Sequence, residues 1–272
     1  MSHWSLEDIA WDQVRPGCVD APLLAAIKTA ALVEANSADY VAYLHSVFGN
    51  DPEFMAAASR WGEEEAQHGE ALGRWAEAID PEFDFQHSLA IFRDGYQIPV
   101  EVEDSVRGSR TGELLARCVV ESGTCSFYSA VRDATQEPVL KQICGHIAQD
   151  EAQHYQLFYV HMRRYAKTQP LSVLRRLQIA GGRIAETSDD ELTYAYYSAN
   201  VAGSQAGYAR RDYAKRYQNT ATSLYEEQHV VTVIRMVWRA IGFNPLGALA
   251  QVVAKCSWLL LRWRTAELRA VR

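Results

Sequence analysis

Two stretches of the chain repeat the tetrapeptide Glu-Ala-Gln-His, first from Glu65 to His68 and again from Glu151 to His154. Residues three apart share a face of an α-helix, so each stretch can offer a carboxylate and an imidazole to the same metal ion. One such pair arises by chance in many helices. The residues that accompany each pair therefore decide what the repeat means.

A lone glutamate precedes each pair, at a position where the helical period calls for an apolar residue. Glu34 continues a stripe that contains Ile27 and Ala31, and Glu121 continues one that contains Leu114. Burying a carboxylate without a compensating partner is costly, and a bound cation would offset that cost. A lone glutamate on two helices and Glu-x-x-His on two others is the ligand pattern of four-helix carboxylate proteins.

The spacing of these residues indicates two helical hairpins. The two ligand glutamates of the first half are 31 residues apart, and the turn signal from Gly49 to Pro52 lies midway between them. In the second half the separation is 30 residues, and Pro138 lies close to the midpoint. Each arm then spans about 15 residues, or roughly 22 Å of helix, which brings the ligands of one hairpin level with each other. Each hairpin is predicted to donate half of a two-metal site.

Two other glutamates, Glu64 and Glu226, also lie close enough to a histidine in sequence to be considered as metal ligands. Glu64 lies four residues before His68 and competes with Glu65 as a ligand, but the parallel with Glu151 favours Glu65. A third Glu-x-x-His pair, formed by Glu226 and His229, follows no hairpin with a lone glutamate. We interpret that pair as a surface or salt-bridge feature.

The rest of the chain reads as mostly helical, because apolar residues recur three and four apart and proline is sparse. We expect one domain over residues 1–272. Long helices are predicted at about 21–48, 53–79, 110–135 and 138–167, and further helices at about 187–218, 220–241 and 246–269. The core bundle then covers about 21–167, with a crossover at about 80–109, and accessory helices cover about 187–269.

Charge and cysteine content narrow the class of protein. Residues 1–162 contain 10 Lys and Arg against 26 Asp and Glu, whereas residues 163–272 contain 17 against 8. The basic second part suits an acidic partner, such as a carrier protein, a nucleic acid or a membrane surface, and it equally fits an ordinary solvated helix surface. The five cysteines form no Cys-x-x-Cys pair, so we expect reduced thiols, a cytoplasmic location and no rubredoxin-type iron site.

No apolar run reaches the length of a membrane span. The C-terminal segment, with Arg262 and Arg264 among apolar residues, could lie on a membrane surface or cover a dimer interface. Packing on the protein's own core is the favoured expectation.

The stretches "RWGEEEAQHGEAL" and "LKQICGHIAQDEAQHYQLF" resemble the two metal-binding helices of the soluble acyl-[acyl-carrier-protein] desaturases, which belong to the ferritin-like di-iron carboxylate proteins. The resemblance runs from about Thr29 to Phe158 and is weaker from Tyr194 to Ala240. It implies an all-α, ferritin-like four-helix bundle with a di-metal core and additional C-terminal helices. It also implies six iron ligands: Glu34, Glu65, His68, Glu121, Glu151 and His154.

The same resemblance implies an activity and two supporting residues. Thr124 matches a threonine beside the oxygen-binding face, where its hydroxyl can pass a proton, although a helical threonine also bonds to its own backbone. Asp150 matches an aspartate that hydrogen-bonds a ligand histidine and so fixes the tautomer and orientation of the ring. The implied function is O2-dependent desaturation of a fatty acyl chain. A di-iron hydroxylase or N-oxygenase, and a non-enzymatic iron-binding protein, remain as alternatives.

Cofactors and partners follow from the resemblance as well. Two iron ions are expected, although manganese or a mixed pair suits the same ligands. The expected partners are an acyl carrier protein, a ferredoxin-like electron donor and a second copy of the chain in a homodimer, with no nucleic acid. The densest basic cluster, which could receive the carrier, contains Arg210, Arg211, Lys215 and Arg216.

Overall fold

The computed structural model describes residues 4–186, 190–202 and 207–270. Every regular element in these ranges is a helix, which confirms the all-α prediction. Three short 3-10 helices come first, at Leu6–Asp8, Trp11–Gln13 and Pro16–Cys18. The α-helices are α1 Ala21–Ala35, α2 Ser37–Phe48, α3 Pro52–Ile79, α4 Phe85–Gly95, α5 Arg110–Ala134, α6 Pro138–Tyr165, α7 Val173–Ala185, α8 Asp190–Asn200, α9 Arg210–Ser223, α10 Glu227–Ala240 and α11 Ala248–Ala270. Within the described residues, no helix is long and apolar enough to cross a bilayer.

The two predicted hairpin turns are confirmed. Helix α2 ends at Phe48 and α3 begins at Pro52, where proline occupies the first helical position and its missing N–H costs no hydrogen bond. The carboxylate of Asp51 caps α3 by accepting a hydrogen bond from the backbone N–H of Phe54 at 3.1 Å. In the second hairpin α6 begins at Pro138, as the sequence indicates.

The first predicted helix is interrupted at Asn36, which separates α1 from α2. Two contacts from distant parts of the chain stabilise the interruption. The guanidinium of Arg93 donates a hydrogen bond to the carbonyl of Ala35 at 2.7 Å, and the hydroxyl of Ser37 donates one to the carbonyl of Gly62 at 2.9 Å. Glu34 therefore lies in the last turn of α1 rather than in the middle of a long helix.

Two helices lie outside the predicted set. Helix α4 occupies part of the predicted crossover, and it buries Phe85, Leu89 and Phe92 along one side. Leu89 follows Phe85 by four residues, and Phe92 follows Leu89 by three, which is the spacing of one helix face. The irregular sequence on either side hid this short helical pattern. Helix α7 covers a stretch for which no helix is predicted.

The chain forms two compact units. The first contains Met1–Val102, Val131–His146 and Ser188–Ala221. In it α1 packs on α3, α4 and α8, and α2 packs on α3. The second contains Glu103–Ala130, Ile147–Thr187 and Thr222–Arg272, and in it α10 packs on α11. The single domain over residues 1–272 remains a prediction.

A buried carboxylate holds several parts of the first unit together. Glu137 is fully buried and accepts hydrogen bonds from the indole N–H of Trp75 at 2.8 Å and from the backbone N–H groups of Arg15 at 3.0 Å and Leu140 at 2.6 Å. One side chain thus connects α3, the segment before α1 and the first turn of α6. Because these donors satisfy the carboxylate, Glu137 has a structural role.

Helix α11 packs through one face only. Ala250 and Ala254 are buried, whereas several large apolar residues on other sides of the helix are at least half exposed. The expectation that this segment packs on the core is therefore confirmed for one face and wrong for the opposite one.

Candidate metal centre

The first half-site lies in the first unit and consists of Glu34 on α1 with Glu65 and His68 on α3. His68 Nδ1 lies 3.8 Å from Glu34 Oε2 and 3.7 Å from Glu65 Oε2. All three side chains are buried, and each offers a ligand atom within 4.8 Å of the others. The two N···O distances are too long for hydrogen bonds but shorter than twice a metal–ligand bond of about 2.1 Å. One ion can therefore contact the imidazole and a carboxylate together.

A glycine allows α1 and α3 to approach closely at this half-site. Gly69 follows His68 directly, and Ala35 follows Glu34. A Cβ atom on Gly69 would lie 2.5 Å from the backbone nitrogen of Ala35 and 2.8 Å from its Cα. Only a residue without a Cβ fits there without a shift of backbone, so Gly69 sets the distance at which the candidate ligands of the two helices meet.

An aromatic residue from the N-terminal segment stacks on the first half-site. The indole of Trp4 is nearly parallel to the imidazole of His68, at an interplanar angle of 4° and a centroid distance of 6.1 Å. Its ring also stacks on His146 at 5.1 Å, and its carbonyl accepts a hydrogen bond from the side chain of Gln67. Trp4 is itself buried, so it shields His68 from water. Sequence reasoning missed this contact because no local spacing connects residues 4 and 68.

The second half-site lies in the second unit and repeats the first. Glu121 on α5 meets Glu151 and His154 on α6. His154 Nδ1 lies 3.9 Å from Glu121 Oε2 and 3.9 Å from Glu151 Oε1. These side chains are almost completely buried, and their ligand atoms lie within 4.8 Å of one another. Each unit thus gathers the lone glutamate and the Glu-x-x-His pair that the sequence assigns to one hairpin.

Thr124 lies beside the second half-site. Its hydroxyl donates a hydrogen bond to Glu151 Oε2 and also lies 3.3 Å from the backbone carbonyls of Val120 and Glu121. A hydroxyl has one proton to donate, so the ligand carboxylate and the helix backbone are competing acceptors. The bond to its own backbone that the sequence suggests is therefore available to Thr124, whereas its role in proton transfer stays a prediction.

Two further predictions concern neighbours of the ligands. Glu64 is partly exposed while Glu65 is buried beside His68, which supports Glu65 as the ligand. Asp150 is buried on α6 directly before Glu151. Its hydrogen bond to a ligand histidine stays a prediction.

The donor set of each half-site suits a metal ion. Each combines two carboxylates with one imidazole, all buried. Two carboxylates held within 4.8 Å of each other repel, and a cation between them would turn that repulsion into attraction. Oxygen and imidazole ligands together suit first-row transition metals. The residues present therefore fit a metal site.

The third Glu-x-x-His pair has a different role. Glu226 precedes the first residue of α10, and its backbone N–H donates a hydrogen bond to His229 Nδ1 at 3.0 Å in a capping box. His229 is buried, and its carbonyl accepts a hydrogen bond from Ser126. A surface position is therefore wrong for His229, although Glu226 is exposed, and the pair caps a helix.

Comparison with protein-family models and with curated protein sequences finds no match to this chain.

Proposed function

We propose that each half-site binds one iron ion and that the protein is an O2-dependent di-iron oxidoreductase. The observation that carries this proposal is the duplicated, buried cluster of two glutamates and one histidine, present once in each unit. Burying carboxylates without a partner costs free energy, and here it happens twice at matched spacing. A bound cation in each half-site would compensate the buried charge and is the simplest explanation of the two clusters.

The composition of the ligand set suits two divalent first-row metal ions, and iron is the proposed one because of the resemblance of the ligand helices. Four carboxylates balance the charge of two divalent cations, and two imidazoles complete the ligands found in ferritin-like proteins. Manganese or a mixed pair satisfies the same chemistry, and metal analysis separates these cases.

The protein's own residues would support oxygen chemistry in two ways. Two reduced iron ions bound there would supply the activation of O2 and the removal of hydrogen from an unactivated C–H bond. Burial of the ligands, with Trp4 stacked on His68, keeps water away from the first half-site. Thr124, hydrogen-bonded to Glu151, holds a hydroxyl proton beside a ligand carboxylate of the second.

The proposed substrate is a fatty acyl chain on a carrier protein, which makes the enzyme desaturase-like. Support comes from the resemblance of the ligand helices and from the exposed basic residues Arg211, Lys215 and Arg216 on α9, which suit an acidic carrier. A ferredoxin-like protein is the proposed electron donor, and a homodimer is the proposed assembly.

Metal binding is tested first, with a set of matched variants. Ferrous ion is titrated anaerobically into the wild type and into three variants that change the glutamate of each Glu-x-x-His copy: Glu65→Gln, Glu151→Gln and Glu226→Gln. We expect two ions per chain for the wild type and for Glu226→Gln. The other two variants should hold fewer, or bind at least about tenfold more weakly. A wild type that binds no iron, or equal losses in all three variants, contradicts the proposal.

Activity is tested on the iron-loaded, reduced protein with O2 and acyl carrier proteins. A product lighter by two hydrogens supports desaturation, whereas a product heavier by one oxygen indicates a hydroxylase. Iron loading far beyond two ions per chain, without either product, indicates storage and contradicts the enzyme proposal.

A further inference from the structure

Helix α11 carries a second apolar face that faces away from its contact with α10. Ala250 and Ala254 are buried on the packed side. The exposed large residues on the other side are Leu249 at 63%, Val252 at 56%, Leu259 at 52%, Leu260 at 50% and Trp263 at 59% exposure. Contiguous exposed apolar surface of this kind is rare on proteins that do not use it for binding.

The exposed residues form one continuous stripe. Leu249, Val252, Cys256, Leu259 and Trp263 follow each other at intervals of three and four, which places them on the same side of a helix. Leu260 extends this side, and Cys256 is exposed with a free thiol. We refer to these six residues as the outer stripe. The stripe runs from Leu249 to Trp263, which is roughly 21 Å along the helix.

Positive charge flanks the outer stripe. From residue 248 to 266 the chain contains three basic residues and no acidic one. Lys255 pairs with Glu227 at 2.9 Å, but Arg262 and Arg264 are exposed on either side of Trp263. Successive helical residues are about 100° apart, so the two guanidinium groups border the stripe on opposite sides. Arginine can extend from such a position toward anionic groups while its stem covers apolar surface.

Helix α7, in the same unit, combines the same features. Leu174, Leu177 and Ile184 are 66%, 42% and 50% exposed, at intervals of three and seven residues. The helix contains three arginines and no acidic residue. Arg183 pairs with Glu186 at 3.3 Å, just beyond the end of the helix. Two helices of the second unit thus combine exposed apolar side chains with an excess of basic over acidic residues.

We propose that the outer stripe of α11 docks on the surface of an anionic lipid bilayer, with the helix lying in the plane of the interface. Leucine and tryptophan side chains would enter the boundary between headgroups and acyl chains, and Arg262 and Arg264 would contact lipid phosphates. Charge favours this occupant over a second copy of the chain. A symmetric contact brings identical surfaces together, and here both would be basic. The proposal does not depend on the metal centre.

Vesicle sedimentation tests the proposal on the full chain. Wild type is mixed at low salt with phosphatidylcholine vesicles that contain phosphatidylglycerol, and with phosphatidylcholine vesicles alone. We expect partition to the anionic vesicles to be at least about tenfold stronger, and to weaken as salt is added. Equal partition to both vesicles, or none to either, overturns the proposal.

Variants assign the binding to the outer stripe. Leu260→Ser/Trp263→Ser should lower partition to anionic vesicles at least about tenfold, because it removes two inserted side chains. The matched control is Val160→Ser on α6, where the valine is 53% exposed, and it should leave partition unchanged. A control that loses as much partition as the double variant overturns the assignment. All replaced side chains are exposed, and circular dichroism checks that each variant remains helical.

A second pair of variants tests whether Arg262 and Arg264 provide the preference for anionic lipid. Arg262→Glu/Arg264→Glu should abolish the preference for phosphatidylglycerol, whereas Arg60→Glu, on the exposed side of α3, should preserve it. The oligomeric state is measured without lipid for the same set. If the wild type is dimeric and Leu260→Ser/Trp263→Ser is monomeric, a second copy covers the stripe and the lipid proposal is wrong.

Discussion

Replacing Gly69 by alanine tests whether a close helix contact holds the first half-site together. The new Cβ would lie 2.5 Å from the nitrogen, 2.7 Å from the Cβ and 2.8 Å from the Cα of Ala35. Two of these three atoms belong to the backbone of α1. No side-chain rotation can relieve the overlap, so α1 and α3 must separate.

Two opposing contributions decide whether Gly69→Ala raises or lowers the free energy of unfolding. Alanine in place of a helical glycine stabilises a protein by about 0.5–1 kcal/mol. Overpacking against backbone costs about 1–3 kcal/mol. We expect Gly69→Ala to lower the free energy of unfolding by about 1–2 kcal/mol. The same separation moves His68 away from Glu34, so ferrous ion should bind the first half-site more weakly.

Gly145→Ala is the matched control. Gly145 lies inside α6, in a part that belongs to the same unit, and a Cβ there would meet only the Cδ of Arg132, at an ordinary 3.6 Å. The free energy of unfolding of Gly145→Ala should be about 0.5–1 kcal/mol higher than that of the wild type. Urea denaturation and anaerobic iron titration measure both variants. Equal stability and equal iron affinity of Gly69→Ala and Gly145→Ala would refute the role assigned to the contact.

Three further outcomes are expected. Glu137→Ala should lower the free energy of unfolding in urea by about 3 kcal/mol, because it leaves buried N–H donors without their acceptor, and a loss below 1 kcal/mol would contradict this. The Lys28 ammonium, 2.6 Å from Asp80, holds the pKa of that carboxyl below its usual range. Asp80→Asn should therefore lower stability by about 1 kcal/mol at neutral pH. The pKa of Asp80 is lower in the folded protein than in the unfolded chain, so its contribution to stability is lost as the pH falls below about 3.9. The stability difference between Asp80→Asn and the wild type should therefore disappear in that range, and thermal melts at several pH values measure it. Cys18 and Cys256 should react quickly with a thiol reagent in the native protein, whereas the three buried cysteines should react only on unfolding.

The helices and the side-chain pairs of the candidate metal centre were predictable because their signals are local. The turn before Pro52 and the start of α6 at Pro138 follow from proline geometry. Glu65 and His68 meet because three residues make nearly one helical turn. Glu34 and Glu121 could be selected because a charged residue on an apolar stripe conflicts with burial, and both are indeed buried.

Features that depend on contacts between distant residues were not predictable in the same way. The interruption at Asn36 is stabilised by Arg93, 57 residues later in the chain. Trp4 stacks on a histidine 64 residues away, and nothing in the spacing of the N-terminal segment indicates a partner. His229 has the motif of a ligand but the surroundings of a helix cap, because a three-residue spacing serves both roles equally well.

The stacking of Trp4 on His68 has a practical consequence. If a paramagnetic ion binds at His68 as proposed, an indole this close to the imidazole should lose much of its emission, and the protein would contain its own optical reporter of occupancy. Trp4→Phe removes that reporter, and subtracting its emission spectrum from that of the wild type isolates the signal of one indole among the seven tryptophans. Filling of the first half-site could then be followed in real time, without labels and separately from the second.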